Sequence, residues 1–366
     1  MVSAPPAPIT DDDRDVAGSH PRLIFFTRLD AAGLRRLLMH EGLLEHLVLQ
    51  AHGIALAVTT LDDVLADVVR HLNSRGIYTV AWLLMPVEYG GWFNAQNYPQ
   101  AKQHYRAFHA WAQQHTLHFD ALGMDIKPPI HDIPRRRRWR LRDIAWQIAH
   151  DDVLSPAASA AYADLVAEMH RDGYQVHSYQ LPLLADDRRA GTTLLQRGLH
   201  IVDIPADMEV LLCFSSTPVE NLPHDMGGAL IASYRPAADS IAVGSIDAVR
   251  GNGQRDARSA PLTWEALQRD LLLAARYTDT IYVFSLEGCI ESGYLPRIAG
   301  MEWSRDARPV MERALQLTTM RLLLFATLIV ARFHRAMLAW TGWVLAVVLL
   351  LQRVRRGRKQ RSDTDY

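Results

Sequence analysis

The feature that most constrains this chain is a recurrence. Short runs of β-branched and aromatic residues alternate with stretches of helical spacing from Pro21 to about Ile298. The runs are "RLIFFTR" (22–28), "IALAVTT" (54–60), "YTVAWLLMP" (78–86) and "HFDALGMDIKP" (118–128). They continue with "YQVHSYQLP" (174–182), "MEVLLCFSS" (208–216), "SIAVGSID" (240–247) and "TIYVFSLEG" (280–288). Helices fit between several of them. "LDDVLADVVRHLNSRG" offers Thr60 as N-cap and Gly76 as stop, and "SPAASAAYADLVAEMHRDG" begins at Ser155–Pro156 and ends at Gly173. "LTWEALQRDLLLAARY" is apolar at helical spacing. Strand and helix alternating in this way build a parallel sheet clothed in helices. Eight such units predict an α/β fold of the (β/α)8 TIM type. The competitor, an open doubly wound sheet, would carry a Gly-rich phosphate loop after its first strand, and none is present.

Within a strand, alternate side chains face opposite sides. In "DALGMDIK", Leu122, Met124 and Ile126 then face the surrounding helices. Ala121, Gly123, Asp125 and Lys127 face the barrel axis, small residues low and charged ones at the C-terminal mouth, where barrel enzymes keep their chemistry. The same counting on the eighth run sends Tyr282, Phe284 and Leu286 outward, and Val283, Ser285 and Glu287 inward. Asp125 and Glu287 are therefore the candidate catalytic carboxylates. A carboxylate after a run such as "IYVFSL" needs a cation, a ligand or water to be tolerated. Candidate substrate-binding residues are Lys127, Tyr179 and Gln180 (one of which faces the axis), and Trp92 and Asn94 in "EYGGWFNAQN", with Asn97 nearby. That loop has the character of a surface that stacks on a sugar face and bonds its hydroxyls. Asp247 ends the seventh run, where substrate contact and helix capping fit equally. His177 reads as a core or mouth residue without an assigned role. The histidines are scattered without metal-ligand spacing, and no metal or cofactor is expected.

"FDALGMDIK" resembles the fourth-strand signature of family 18 glycoside hydrolases, the chitinase-like barrels, written D-G-x-D-x-D-x-E. In that register Asp120 takes the first aspartate, Gly123 replaces the second, and Asp125 takes the third. Lys127 stands where the family has its acid/base glutamate. The match spans nine residues; "DIKPP" and "FSLEG" also look like bacterial glycoside-hydrolase-like barrels. The resemblance implies a glycan or glycolipid ligand, with hydrolysis or transfer of glycosidic bonds as the enzyme reading. The departure matters as much. Family chemistry needs a protonated carboxylic acid, and a lysine beside Asp125 is held charged. Either Asp125 and Glu287 act as a widely spaced carboxylate pair across the barrel, or Lys127 binds an anionic group and no bond is broken. The rival from another class is an inactive barrel that binds carbohydrate or organises a membrane complex.

Charge is nearly balanced, with 39 basic and 40 acidic residues. Arginines nevertheless cluster in "RRRRWRLR" (135–142), within an insertion at 130–154, and in "RVRRGRKQR" (353–361). With Trp139 alone as an interleaved aromatic, nucleic acid is disfavoured and phosphates of lipid headgroups or of an anionic substrate are the expected partners. The two cysteines, Cys213 and Cys289, lie in apolar runs and suit a reducing compartment. Residues 1–20 read as a disordered lead-in rather than a secretory signal.

After the barrel, "LLLFATLIVA" (322–331), then "RFHR", then "AMLAWTGWVLAVVLLL" (336–351) predict a membrane-associated helical hairpin or in-plane anchor over 315–352. Trp340, Trp343 and the polybasic tail at 353–366 favour membrane, with tail and barrel both facing the cytoplasm.

Overall fold

The computed structural model describes residues 20–40, 42–129, 154–215, 225–246 and 261–333. Residues 1–19 of the expected lead-in, residues 130–153 of the insertion expected at 130–154, Asp247, the second apolar run and the polybasic tail lie outside the described residues.

All eight predicted runs form strands: β1 Arg22–Thr27, β2 Gly53–Val58, β3 Tyr78–Leu83, β4 Ala121–Ile126, β5 Gln175–Gln180, β6 Met208–Leu212, β7 Ser240–Gly244 and β8 Thr280–Phe284. Each pairs in parallel with its neighbours, and β8 returns to β1, closing a barrel in chain order. The outer layer comprises α1 Ala31–Leu38, α2 Leu43–Leu49, α3 Asp63–Ser74, α4 Tyr98–Gln114, α5 Leu154–Arg171, α6 Leu184–Ala190 and α7 Leu194–Leu199. It continues with α8 Ala229–Tyr234, α9 Trp264–Ala274, α10 Leu286–Glu291 and α11 Leu295–Ala299. A further helix, α12, is described over Met311–Phe333.

Local signals explain several boundaries. α3 is capped by Asp62, whose carboxylate accepts from Leu65 N, and the Thr60 hydroxyl donates to Asp62 instead of capping. The sequence expectation named the wrong member of that pair. Aspartate wins because its charged acceptor meets both the exposed amides and the helix dipole. Thr263 caps α9 and Ser285 caps α10.

Two cores result. Leu23, Phe25, Leu56, Leu83, Leu122, Met124, Ile126, Val176 and Val283 pack between strands and helices. Ile24, Phe26, Ala55, Ala57, Val80, Trp82, Ala121, Tyr179, Val210, Leu212, Ala242, Tyr282 and Phe284 fill the inside of the barrel. The expected parity of β4 is observed. That of β8 is reversed: Tyr282 and Phe284 face the axis and Val283 faces the helices. Both faces of a barrel strand are buried, so an all-apolar run such as "IYVF" carries no parity signal. Counting back from Glu287 failed because the strand ends at Phe284 and Glu287 belongs to the first turn of α10.

Candidate functional site

The barrel interior is plugged by rings. Phe26 sits at the centre, with ring centroids 4.9 Å from Trp82, 4.9 Å from Tyr179 and 5.1 Å from Tyr282. Below them the Tyr282 hydroxyl meets His177 Nδ1 at 2.6 Å. Burial lowers the His177 imidazole to about 4, so that ring is neutral around pH 7 and behaves as a polar core residue.

Above the plug, Asp125 is 1% exposed and faces the axis. Lys127 Nζ donates to Asp125 Oδ2 at 2.9 Å, while Oδ1 is buried and accepts no hydrogen bond among the described residues. Burial pulls the Lys127 amine below the usual lysine value; Asp125 pulls it back up, and the positive charge of Arg28 adds to the lowering. The expectation of a lysine held charged by Asp125 alone is thus incomplete, because burial acts against the carboxylate.

Trp92 completes this half of the mouth, with Lys127 Nζ 5.4 Å from the centroid of its ring. That contact is imposed by backbone pairing. Phe93 N donates to Asp125 O and Lys127 N donates to Phe93 O, so the loop after β3 extends the sheet beside the end of β4. Two amides set the loop's shape. Asn97 Nδ2 donates to Tyr89 O and Trp92 O, both at 2.7 Å. Asn94 Nδ2 donates to Trp92 O, and its Oδ1 accepts from Gln96 N. Asn94 is therefore spent on the fold of the loop and positions Trp92, rather than facing outward as a ligand contact.

The opposite half is built from β1 and β8. The Arg28 guanidinium lies 5.2 Å from the Trp82 ring and 5.3 Å from that of Phe284. Arg28 N donates to Glu287 Oε1 at 3.2 Å. Glu287 reaches the rim by way of a helix turn, and it is held on the Arg28 side while Asp125 is held by Lys127. Phe214, after β6, packs its ring 5.7 Å from Phe284.

Of the pair ending β5, Tyr179 faces the axis. Gln180 lies on the other face, where its Nε2 donates to Ser178 Oγ, and it does not join the mouth. Asp120 sits at the far end of β4, accepting from Thr79 N at 2.7 Å, and plays no part in the mouth either. Gly123 has a local reason. A Cβ built on it would stand 2.5 Å from ring atoms of Tyr179, so the aspartate that family 18 carries there cannot coexist with this tyrosine. Arg28, Trp82, Phe214 and Phe284 were not singled out from the sequence. Arg28 ends the first run much as Lys127 follows the fourth, and that strand-end position was the available signal.

The described mouth thus sets two cations and two carboxylates against aromatic rings at the C-terminal ends of parallel strands, the place where this fold class carries its function. No protein-family model matches the chain, and no curated protein matches it in sequence. Solved structures similar to it include a family 18 chitinase from Pseudoalteromonas aurantia, at 10% identity and a TM-score of 0.46, covering 76% of this chain and 99% of that one. The PgaB glycoside hydrolase domain from Bordetella bronchiseptica is similar at 12% identity and 0.46, covering 76% and 98%. A D-allulose 3-epimerase from Methylomonas is similar at 13% and 0.39, covering 82% and 98%. Likeness at this level spans different chemistries and adds nothing to the closed barrel that the strand pairing already defines.

Proposed function

We propose that the barrel binds a glycan at its mouth, and does so without the acetamido-assisted hydrolysis of family 18. The observation that supports this reading is the Lys127–Asp125 ion pair, which occupies the acid/base register with Trp92 beside it. That hydrolysis needs a carboxylic acid to protonate the leaving oxygen, and an ammonium paired to a carboxylate is a poor substitute. The same groups suit recognition. Trp92 offers an aromatic face to a sugar ring, and Asp125 Oδ1 is a buried acceptor that a sugar hydroxyl would satisfy. A phosphate or other anionic group on the glycan would find the Lys127 ammonium as its donor.

Titration of the full-length protein with neutral and phosphorylated oligosaccharides, followed by tryptophan fluorescence, tests this. Saturable binding is expected, weakened about tenfold, or roughly 1.4 kcal/mol, in Trp92→Ala. Release of reducing sugar by the wild type that disappears in Asp125→Asn or Glu287→Gln would replace the binding reading with hydrolysis by those two carboxylates.

The end of the chain supports a membrane-bound location. α12 is long and apolar enough to cross a bilayer, a second apolar run follows at 336–351, and the arginines of 353–361 suit anionic headgroups. The same arginines favour the cytoplasmic side for the barrel. Protease digestion in inverted vesicles, with protection in intact spheroplasts, is the expected result.

A further inference from the structure

α12 is 23 residues long, roughly 34 Å at 1.5 Å per residue, yet it is not a free tether. It is fastened to the barrel at three points along its length. At its start, Val310 N donates to Gly227 O, and a Cβ on Gly227 would lie 2.6 Å from Val310 Cγ2. In the middle, Arg321 Nη2 donates to Asp186 Oδ1 at 2.6 Å, while Tyr234 donates to the other oxygen of the same carboxylate at 2.6 Å. Asp186 is 1% exposed, and the Arg321 guanidinium also lies 3.8 Å from the Tyr234 ring. Near its end, Arg332 Nη1 donates to Ala190 O, and a Cβ on Gly191 would stand 2.9 Å from Arg332 Cζ. Both glycines have positive φ and no side chain in the way, so the barrel surface is shaped to receive this helix.

The other face is of opposite character. From Ala314 to Phe333 the charged side chains are Arg321 and Arg332; both donate to the barrel, Arg321 half-buried and Arg332 with much of its side chain still exposed. Leu315, Leu322, Leu323, Val330 and Phe333 are exposed, Leu323 by 65%. The exposed threonines hide their polarity. Thr318 donates to Ala314 O, Thr319 to Leu315 O and Thr327 to Leu323 O, so each hydroxyl is satisfied within the helix and requires no polar partner on that face. A water-facing helix of this length would carry charges on that side.

We infer that α12 is an in-plane membrane seat: docked lengthwise on the barrel, it lays its outer face into one leaflet of a lipid bilayer instead of crossing it. The inference rests on the membrane association proposed above and adds its geometry. Standing α12 upright while docked would drag α6 and its neighbours, including the exposed Arg188 that pairs with Glu209, into hydrocarbon. Undocking it would strand the Asp186 carboxylate in a buried site without its arginine. Bilayer is the occupant that fits, since the chain continues into the apolar run holding Trp340 and Trp343 and then into an arginine-rich stretch.

The test uses full-length protein reconstituted in vesicles of phosphatidylcholine and phosphatidylglycerol. Single cysteines replace Leu315, Leu322, Ala326 or Val330, each carrying a fluorophore; Cys213 and Cys289 are buried. Depth is read by quenchers placed at different levels of the lipid. The four labels are expected at one shallow depth, roughly 5–10 Å below the headgroups. A graded profile, deepest at Leu322, means an upright span and overturns the inference. Vesicle flotation of the same samples separates the two proposals. Protein that floats with no label quenched keeps the membrane location but removes α12 as its seat, leaving water or a second copy over that face. Protein that does not float removes both.

Discussion

Lys127 is where the site departs from the chemistry its sequence resembles, and its removal is informative. In Lys127→Met the Asp125 carboxylate keeps its buried position without its cation, which costs about 3 kcal/mol of stability in urea unfolding. Adding Asp125→Asn removes the stranded charge, so the double variant is expected to recover most of that loss. An additive double variant would mean that the pair is not a unit. Gly123 makes the complementary point by size. Gly123→Ala drives a methyl into the Tyr179 ring and is expected to cost about 1–3 kcal/mol, whereas in a Tyr179→Ala background, which carries its own cavity cost, the same change is expected to cost little.

The loop after β3 is the element that turns a strand end into a site. It carries Trp92 to Lys127 only because Asn97 holds Tyr89 O and Trp92 O together and because Phe93 pairs with the end of β4. In Asn97→Ala, Tyr89 O loses its side-chain donor and Trp92 O keeps only that of Asn94. The amides of Phe93 and Lys127 are then expected to exchange with solvent at least tenfold faster, with the strand amides of β2 and β3 unchanged. On the glycan-binding reading proposed above, affinity is expected to fall with that loop order, although Asn97 itself is buried beneath the loop. Unchanged exchange in this variant would show that backbone pairing alone sets the loop.

At the scale of the whole molecule, two deeply buried imidazoles among the described residues contribute strongly to the acid response. Burial lowers His177 to about 4 and His52 to about 3, with the neighbouring His46 and His20 charges adding to the effect at His52. The unfolded chain takes up these protons near 6.5, and the folded protein refuses them until the lower values. Stability is therefore full above about pH 6.5 and falls as pH drops towards 4, at roughly 1.4 kcal/mol per pH unit per histidine. Asp270 acts in the opposite sense. Burial raises it to about 6, so between about 4 and 6 the folded state holds a proton that the unfolded state releases, and stability rises as pH falls. Two histidines outweigh one aspartate. Unfolding midpoints at pH 7.5, 5.5 and 4.5 should fall in that order, and His177→Gln should flatten the slope. A flat profile in the wild type would place both histidines in contact with water.

The sequence by itself determined the eight strands, their order and the inward parity of β4, because β-branched runs, helix stops and small or charged residues at alternate positions are local signals. It also put Asp125 and Lys127 side by side, since residues two apart on a strand share a face. The tertiary structure decided the rest. It reversed β8, whose residues are apolar on both sides, and it spent Asn94 on the loop and turned Gln180 to the helices. It brought Arg28 over Trp82 and Phe284 from strands far apart in the chain, and it laid α12 against Asp186. Hydropathy reports that a residue avoids water. Which neighbour replaces the water is settled only when distant segments close on one another.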